Sequence, residues 1–161
     1  LEYEIAGFLS NVSTGNLTEE EAEQVKVLYR VIGELESLGD SGENISRILE
    51  RERVHNRKFD DDSISKILTL SSKVEKGYDV MVENLKNATT LEGVKDISNA
   101  YASEDDINET RNKLREEGIL QIEHHTGNYQ SLNYFLDMIA ELEAMGDFMI
   151  NVSQAIVRND N

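Results

Sequence analysis

Cysteine and proline are both missing from this chain of 161 residues. Without cysteine there is no disulfide framework, no thiol nucleophile and no Cys-ligated zinc. Without proline the strongest helix breaker is gone, so helices longer than the usual three turns are allowed. Positive charge is scarce: 16 Lys and Arg stand against 32 Asp and Glu, for a net charge of −16. Such a chain repels nucleic acid and anionic lipid headgroups, which excludes binding through a broad basic patch. Bound cations would relieve part of the self-repulsion. No apolar run reaches the roughly 18 residues that span a membrane, and nothing resembles a signal peptide. The chain opens at Leu1 rather than Met, which reads as a fragment of something longer. The motifs GxSxG, Walker A, HExxH and GxGxxG are missing. The Glu-x-x-His pattern that di-iron bundles need on two helices is not carried on two helices here. A non-enzymatic protein is expected.

What is present is helical periodicity. The length fits one domain with room for a core. With 39% hydrophobic and 30% charged residues, the composition suits long amphipathic helices. A short first element over residues 1–9 reads as the tail of a helix. Thr18 with Glu21 fits a capping box and opens a long helix ending near Val54, with the stripe Val25, Leu28, Val31/Ile32, Leu35, Leu38, Ile45 and Ile48/Leu49. Asp60–Asp62 is available to cap the next helix, about 62–87. A fourth starts near Leu91 with Val94, Ile97 and Tyr101; its polar middle, 103–113, either continues to about Ile122 or breaks near Ser103. Gly127 marks a turn, and the last helix runs about 129–158. Four long helices joined by short loops predict an antiparallel bundle.

One segment occurs twice. Residues 34–46 read ELESLGDSGENIS and residues 141–153 read ELEAMGDFMINVS, with seven of thirteen positions identical. Both keep Glu-x-x-x-Asp-x-x-x-Asn: Glu36, Asp40, Asn44 and Glu143, Asp147, Asn151. Core packing alone would more readily repeat the apolar positions. With Leu35 as the zero direction, Glu36 falls roughly 100° away, Asp40 roughly 140° and Asn44 roughly 180°. Each stripe therefore begins at the edge of the apolar face and winds outward, and its carboxylates are expected at the surface. Three oxygen-bearing side chains on one face suit a hard cation such as Mg²⁺, Ca²⁺, Mn²⁺ or iron, with water or a neighbouring helix completing the shell. Two equivalent glycines, Gly39 and Gly146, predict close approach of another helix or a ligand, since glycine costs about 1 kcal/mol inside a helix.

Other groups carry weaker signals. Glu123, His124 and His125 are sequence neighbours and do not share a helix face. His55 among Arg51, Arg53, Arg57 and Lys58 could meet a phosphate, but such a cluster more often complements a helix C-terminus. Tyr29, Tyr78, Tyr101 and Tyr134 are expected in the core or half-buried.

The duplicated ExxxD helices, each with Gly-Asp-x-x-x-Asn after the Glu, resemble the signature of PhoU-like proteins. The tract before the second copy, with Leu114-Arg115 and Gly127, is similar to the cytoplasmic PhoU-like tail of bacterial Na⁺/phosphate cotransporter family proteins. The resemblance covers about residues 18–158. It implies an all-α, PhoU-like antiparallel helical bundle of two repeats, the first truncated: residues 18–55 would close repeat 1 and 61–158 would form repeat 2, within one domain over 1–161. It implies a regulatory or accessory role in sodium-dependent phosphate transport, at the cytoplasmic face of the inner membrane. The partner would be a membrane-embedded transporter region in the same full-length chain; a homodimer is compatible with it, nucleic acid is not. Fe, Mn, Mg or Zn, mono- or multinuclear, would bind at Glu36, Asp40, Asn44, Glu143, Asp147 and Asn151. Where the family commonly has Glu-Arg-Ile-Gly-Asp-His, this chain lacks both the basic residue and the His. The alternative is a metal-free helical interaction module whose acidic faces dock a partner.

Overall fold

A computed structural model describes residues 2–90, 92–124 and 128–157. The chain is all-α: α1 (Glu2–Ser13), α2 (Glu19–Val54), α3 (Asp61–Ala88), α4 (Ser98–Glu123) and α5 (Tyr129–Ala155). Among the described residues no helix is long and apolar enough to cross a membrane.

The helix starts follow local chemistry. Thr18 Oγ1 accepts from the Glu21 amide at 3.2 Å, while Glu21 accepts from the Thr18 amide at 2.8 Å. This is the capping box that the sequence predicts. Asp60 Oδ1 accepts from the Ser63 amide at 2.7 Å and opens α3. The backbone hydrogen bond from Ser63 pulls the Asp60 carboxyl below its ordinary range.

The fourth helix departs from expectation. It begins at Ser98 rather than near Leu91. Gly93 takes φ 67°, which breaks a right-handed path, and Val94 forms an isolated parallel bridge with Val157. Leu91 itself and Gly127 lie outside the described residues, and the last helix ends at Ala155, short of the expected 158. The polar middle of α4 does not break at Ser103. It is held through Ile107 and Leu114, which are buried against the bundle. The first helix continues past Leu9 to Ser13.

Helix α5 is the centre. It touches α2, α3 and α4, and α3 touches α4, whereas among the described helices α2 packs on α5 and α1 alone. Its Phe135, Met138, Ile139, Leu142, Met149 and Val152 are buried with Leu70, Val74, Met81, Ile107 and Leu114 in one core. Each such side chain contributes on the order of 1.5–3 kcal/mol by leaving water. Gly146 allows the close approach predicted for it: a Cβ built there would lie 3.2 Å from Ile107 Cδ1. Gly39 does not share that role, since its Cβ would meet nothing within 4 Å.

The buried line of α2 runs through Val31, Leu38, Ser41 and Ile48. Leu28, Leu35 and Leu49, expected on the core face, are exposed. The helix offers a wider apolar arc than its one large neighbour covers. Of the four tyrosines expected in the core or half-buried, Tyr134 is buried, while Tyr29, Tyr78 and Tyr101 are exposed.

Candidate functional site

The register between α2 and α5 is set by two polar contacts. Asn44 Nδ2 donates to Glu141 Oε1 at 3.3 Å, and Asn151 Nδ2 donates to Glu34 Oε2 at 3.1 Å. Glu34 and Glu141 are the first residues of the two copies of the repeated segment, and the two asparagines are also equivalent positions. The contacts are therefore reciprocal, and they bring Gly39 and Gly146 level with each other along an antiparallel pair. In this register the first turns of α2 project past the end of α5. There α1 folds back on α2, with Tyr29 Oη donating to the Ala6 carbonyl at 3.0 Å.

The six predicted site residues fall into three settings. Asn44 and Asn151 are half-buried and aim their amides at the opposite helix. Glu36 and Asp40 are exposed and make no hydrogen bond or ion pair with any described residue. Glu143 is half-buried and pairs with Arg111 of α4. Asp147 lies on the same stripe. Its carboxyl is pushed above the ordinary Asp range, first by desolvation and then by the charge of Glu143, with Arg111 opposing. The two stripes, matched in sequence, are thus electrostatically different: one is open, and the other has a guanidinium on it.

Arg111 lies in the polar middle of α4, and no spacing rule singles it out. Around it, Asn108 donates its amide to Glu104. Glu104 is held above its ordinary range by desolvation, with Asp105, Asp147 and Glu143 adding repulsion. Asn108 Oδ1 and Arg111 Nε are buried with no hydrogen-bond partner among the described residues. A cavity of about 10 Å³ beside Gly77, Ser103, Glu104 and Gly146 has room for about one water molecule. Among the described residues no three acidic or histidine side chains converge as one metal shell. A cation on either stripe would draw most of its ligands from water.

The remaining candidates are used within the fold. His55 Nδ1 lies 2.9 Å from the Arg51 carbonyl and 3.0 Å from Tyr134 Oη, and its ring stacks on Tyr134. Glu52, which precedes His55 at Glu-x-x-His spacing, accepts from the Phe59 amide at 3.0 Å. Arg53 pairs with Glu50, and Arg57 donates to Gln130 at 3.2 Å. Glu123 and His124 end α4, while His125 lies outside the described residues. Comparison with family models, with curated proteins and with solved structures finds no match to this chain.

Proposed function

We propose that this chain is a non-enzymatic regulatory domain of the PhoU-like kind. It would serve sodium-dependent phosphate transport by docking on a membrane-embedded transporter at the cytoplasmic face. The observation that carries the reading is the reciprocal pairing of the two ExxxD helices through Asn44–Glu141 and Asn151–Glu34. A duplicated segment whose copies meet each other fits a two-repeat bundle of which the first repeat is truncated.

The donor chemistry favours a hard cation on the open stripe. Glu36 and Asp40 lie one turn apart, exposed and unpaired among the described residues, so two carboxylates are free for Mg²⁺, Mn²⁺ or Fe²⁺. The amide of Asn44 is engaged with Glu141, which leaves its carbonyl oxygen as a third donor. On the second stripe Arg111 already supplies the positive charge that a metal would bring. That pair favours a second reading, in which both stripes answer to cationic side chains and the domain docks without metal.

Calorimetric titration of chelator-stripped protein with Mn²⁺, Mg²⁺, Fe²⁺ and Zn²⁺ separates the two. Saturable binding that disappears in the Glu36→Ala, Asp40→Ala variant supports the metal reading. Absence of binding in both proteins leaves metal-free docking. Sodium-driven phosphate uptake by cells carrying the same variant tests the transport role; unchanged uptake, with protein levels matched, would count against it.

A further inference from the structure

Both copies of the repeat offer a Glu and an Asp one turn apart, but only one pair is reachable. On α5 the guanidinium of Arg111 is paired with Glu143, whose side chain is 18% exposed, and its charge acts on Asp147 as well. Packing fixes it there. Gly146 lets Ile107 of α4 sit close to the backbone of α5, since a Cβ at that position would lie 3.2 Å from Ile107 Cδ1. Arg111 follows Ile107 by one helical turn. Its Nη1 donates to Asn112 Oδ1 at 2.8 Å, which holds the outer end of the guanidinium. On α2 the equivalent Gly39 faces open space. Among the described residues no cationic side chain pairs with Glu36 or Asp40.

We infer that Arg111 is a built-in cation that closes the second stripe to metal, so that the chain takes one ion, at Glu36 and Asp40, and not two. Three properties make the guanidinium hard to displace. It stays charged at every accessible pH, so unlike a His or Lys it cannot make way by losing a proton. It is tethered, and therefore competes with a dissolved ion at high effective concentration. Its side chain is 25% exposed, so an ion entering beside it would set two cations together in a half-buried seam. The inference rests on the metal reading of the stripes and narrows it to one of them. The choice between two motifs equivalent in sequence falls to a residue outside both, placed by the docking of α4.

The probe is Mn²⁺, counted by electron paramagnetic resonance and placed by the broadening of amide signals in isotope-labelled protein. Expected is one ion per chain, with broadening around Glu36 and Asp40 and none around Glu143 and Asp147. Glu36→Gln should weaken binding at least tenfold, while Glu143→Gln should change it less than twofold. Arg111→Met should add a second ion, lost again when Glu143→Gln is combined with it. Arg111→Lys, which keeps the charge, should add none. Arg111→Gln makes the same measurement if Arg111→Met does not fold. Two ions on the wild type, broadening at Glu143, or a folded Arg111→Met protein that gains no ion would overturn the inference. A wild type that binds none, beside an Arg111→Met protein that binds one at Glu143, would overturn the metal reading of the open stripe and support the closure of the second.

Discussion

Asn44 of α2 donates to Glu141 of α5 at 3.3 Å, and the equivalent asparagine on α5 returns the contact to the equivalent glutamate on α2. The repeated polar residues are thus partly accounted for by packing. They register one helix against the other at two points on either side of the level glycines.

Asn44→Ala and Asn151→Ala should each cost about 1 kcal/mol, the net worth of a partly buried hydrogen bond. The contacts lie several turns apart, so the double variant should be additive within about 0.5 kcal/mol. Urea denaturation measures both. Two silent single variants would remove these bonds from the account of the interface.

The two glycines should respond with opposite sign. Gly39→Ala meets open space and gains helix propensity, for about 0.5–1 kcal/mol of stabilisation. Gly146→Ala gains the same propensity but presses a methyl against Ile107, which is 1% exposed and has little room to yield. Overpacking of that kind costs about 1–3 kcal/mol, so a net loss of roughly 1 kcal/mol is expected. Thermal melts that move in the same direction would contradict the placement of α4 over Gly146.

Arg111 neutralises a half-buried carboxylate, and its removal leaves Glu143 and Asp147 facing each other. Arg111→Met should destabilise the protein by about 1–3 kcal/mol at neutral pH. It should also raise the Asp147 titration further, as read by carboxyl NMR. Adding Glu143→Gln should recover part of the loss, and failure to do so would show that the two side chains are not coupled.

The pH dependence follows from Glu104 and Asp147, whose folded-state values both lie above the ordinary carboxylate range. The folded chain holds these protons more tightly than the unfolded chain. Their contribution to stability is therefore full below the ordinary carboxylate range and is lost as pH rises through the folded values. Asp147→Asn should then stabilise the protein at pH 7 by about 0.5 kcal/mol, a small figure because solvent screens the exposed side of the residue. The gain should vanish at acid pH. A variant that is less stable than wild type at pH 7 would reverse this sign.

Ile139→Ala, at the centre of α5, should cost about 2–5 kcal/mol through lost burial and the cavity left behind. A cost below 1 kcal/mol in urea denaturation would mean that α5 is not the helix around which the core forms.

Local signals were enough for much of this architecture. Thr18 with Glu21, and Asp60 ahead of Ser63, cap helices through contacts three residues apart, so they depend on nothing distant. Apolar spacing is likewise enough for helix type, and the duplicated segment by itself marks two equivalent helices. The start of α4 was not legible, because it depends on the backbone of Gly93 and on Val94 meeting Val157, far along the chain. Which face of α2 is buried was not legible either. Leu35 and Leu142 occupy the same place in the repeat, yet only Leu142 has α3 and α4 beside its helix. The same holds for charge: Glu36 and Glu143 are equivalent in sequence, and Arg111 reaches only one of them. Sequence by itself determined helix type, caps and the pairing of like segments, because those rest on residues a turn or less apart. Tertiary structure alone decided which stripe is open, because that depends on which neighbours the fold places beside each helix.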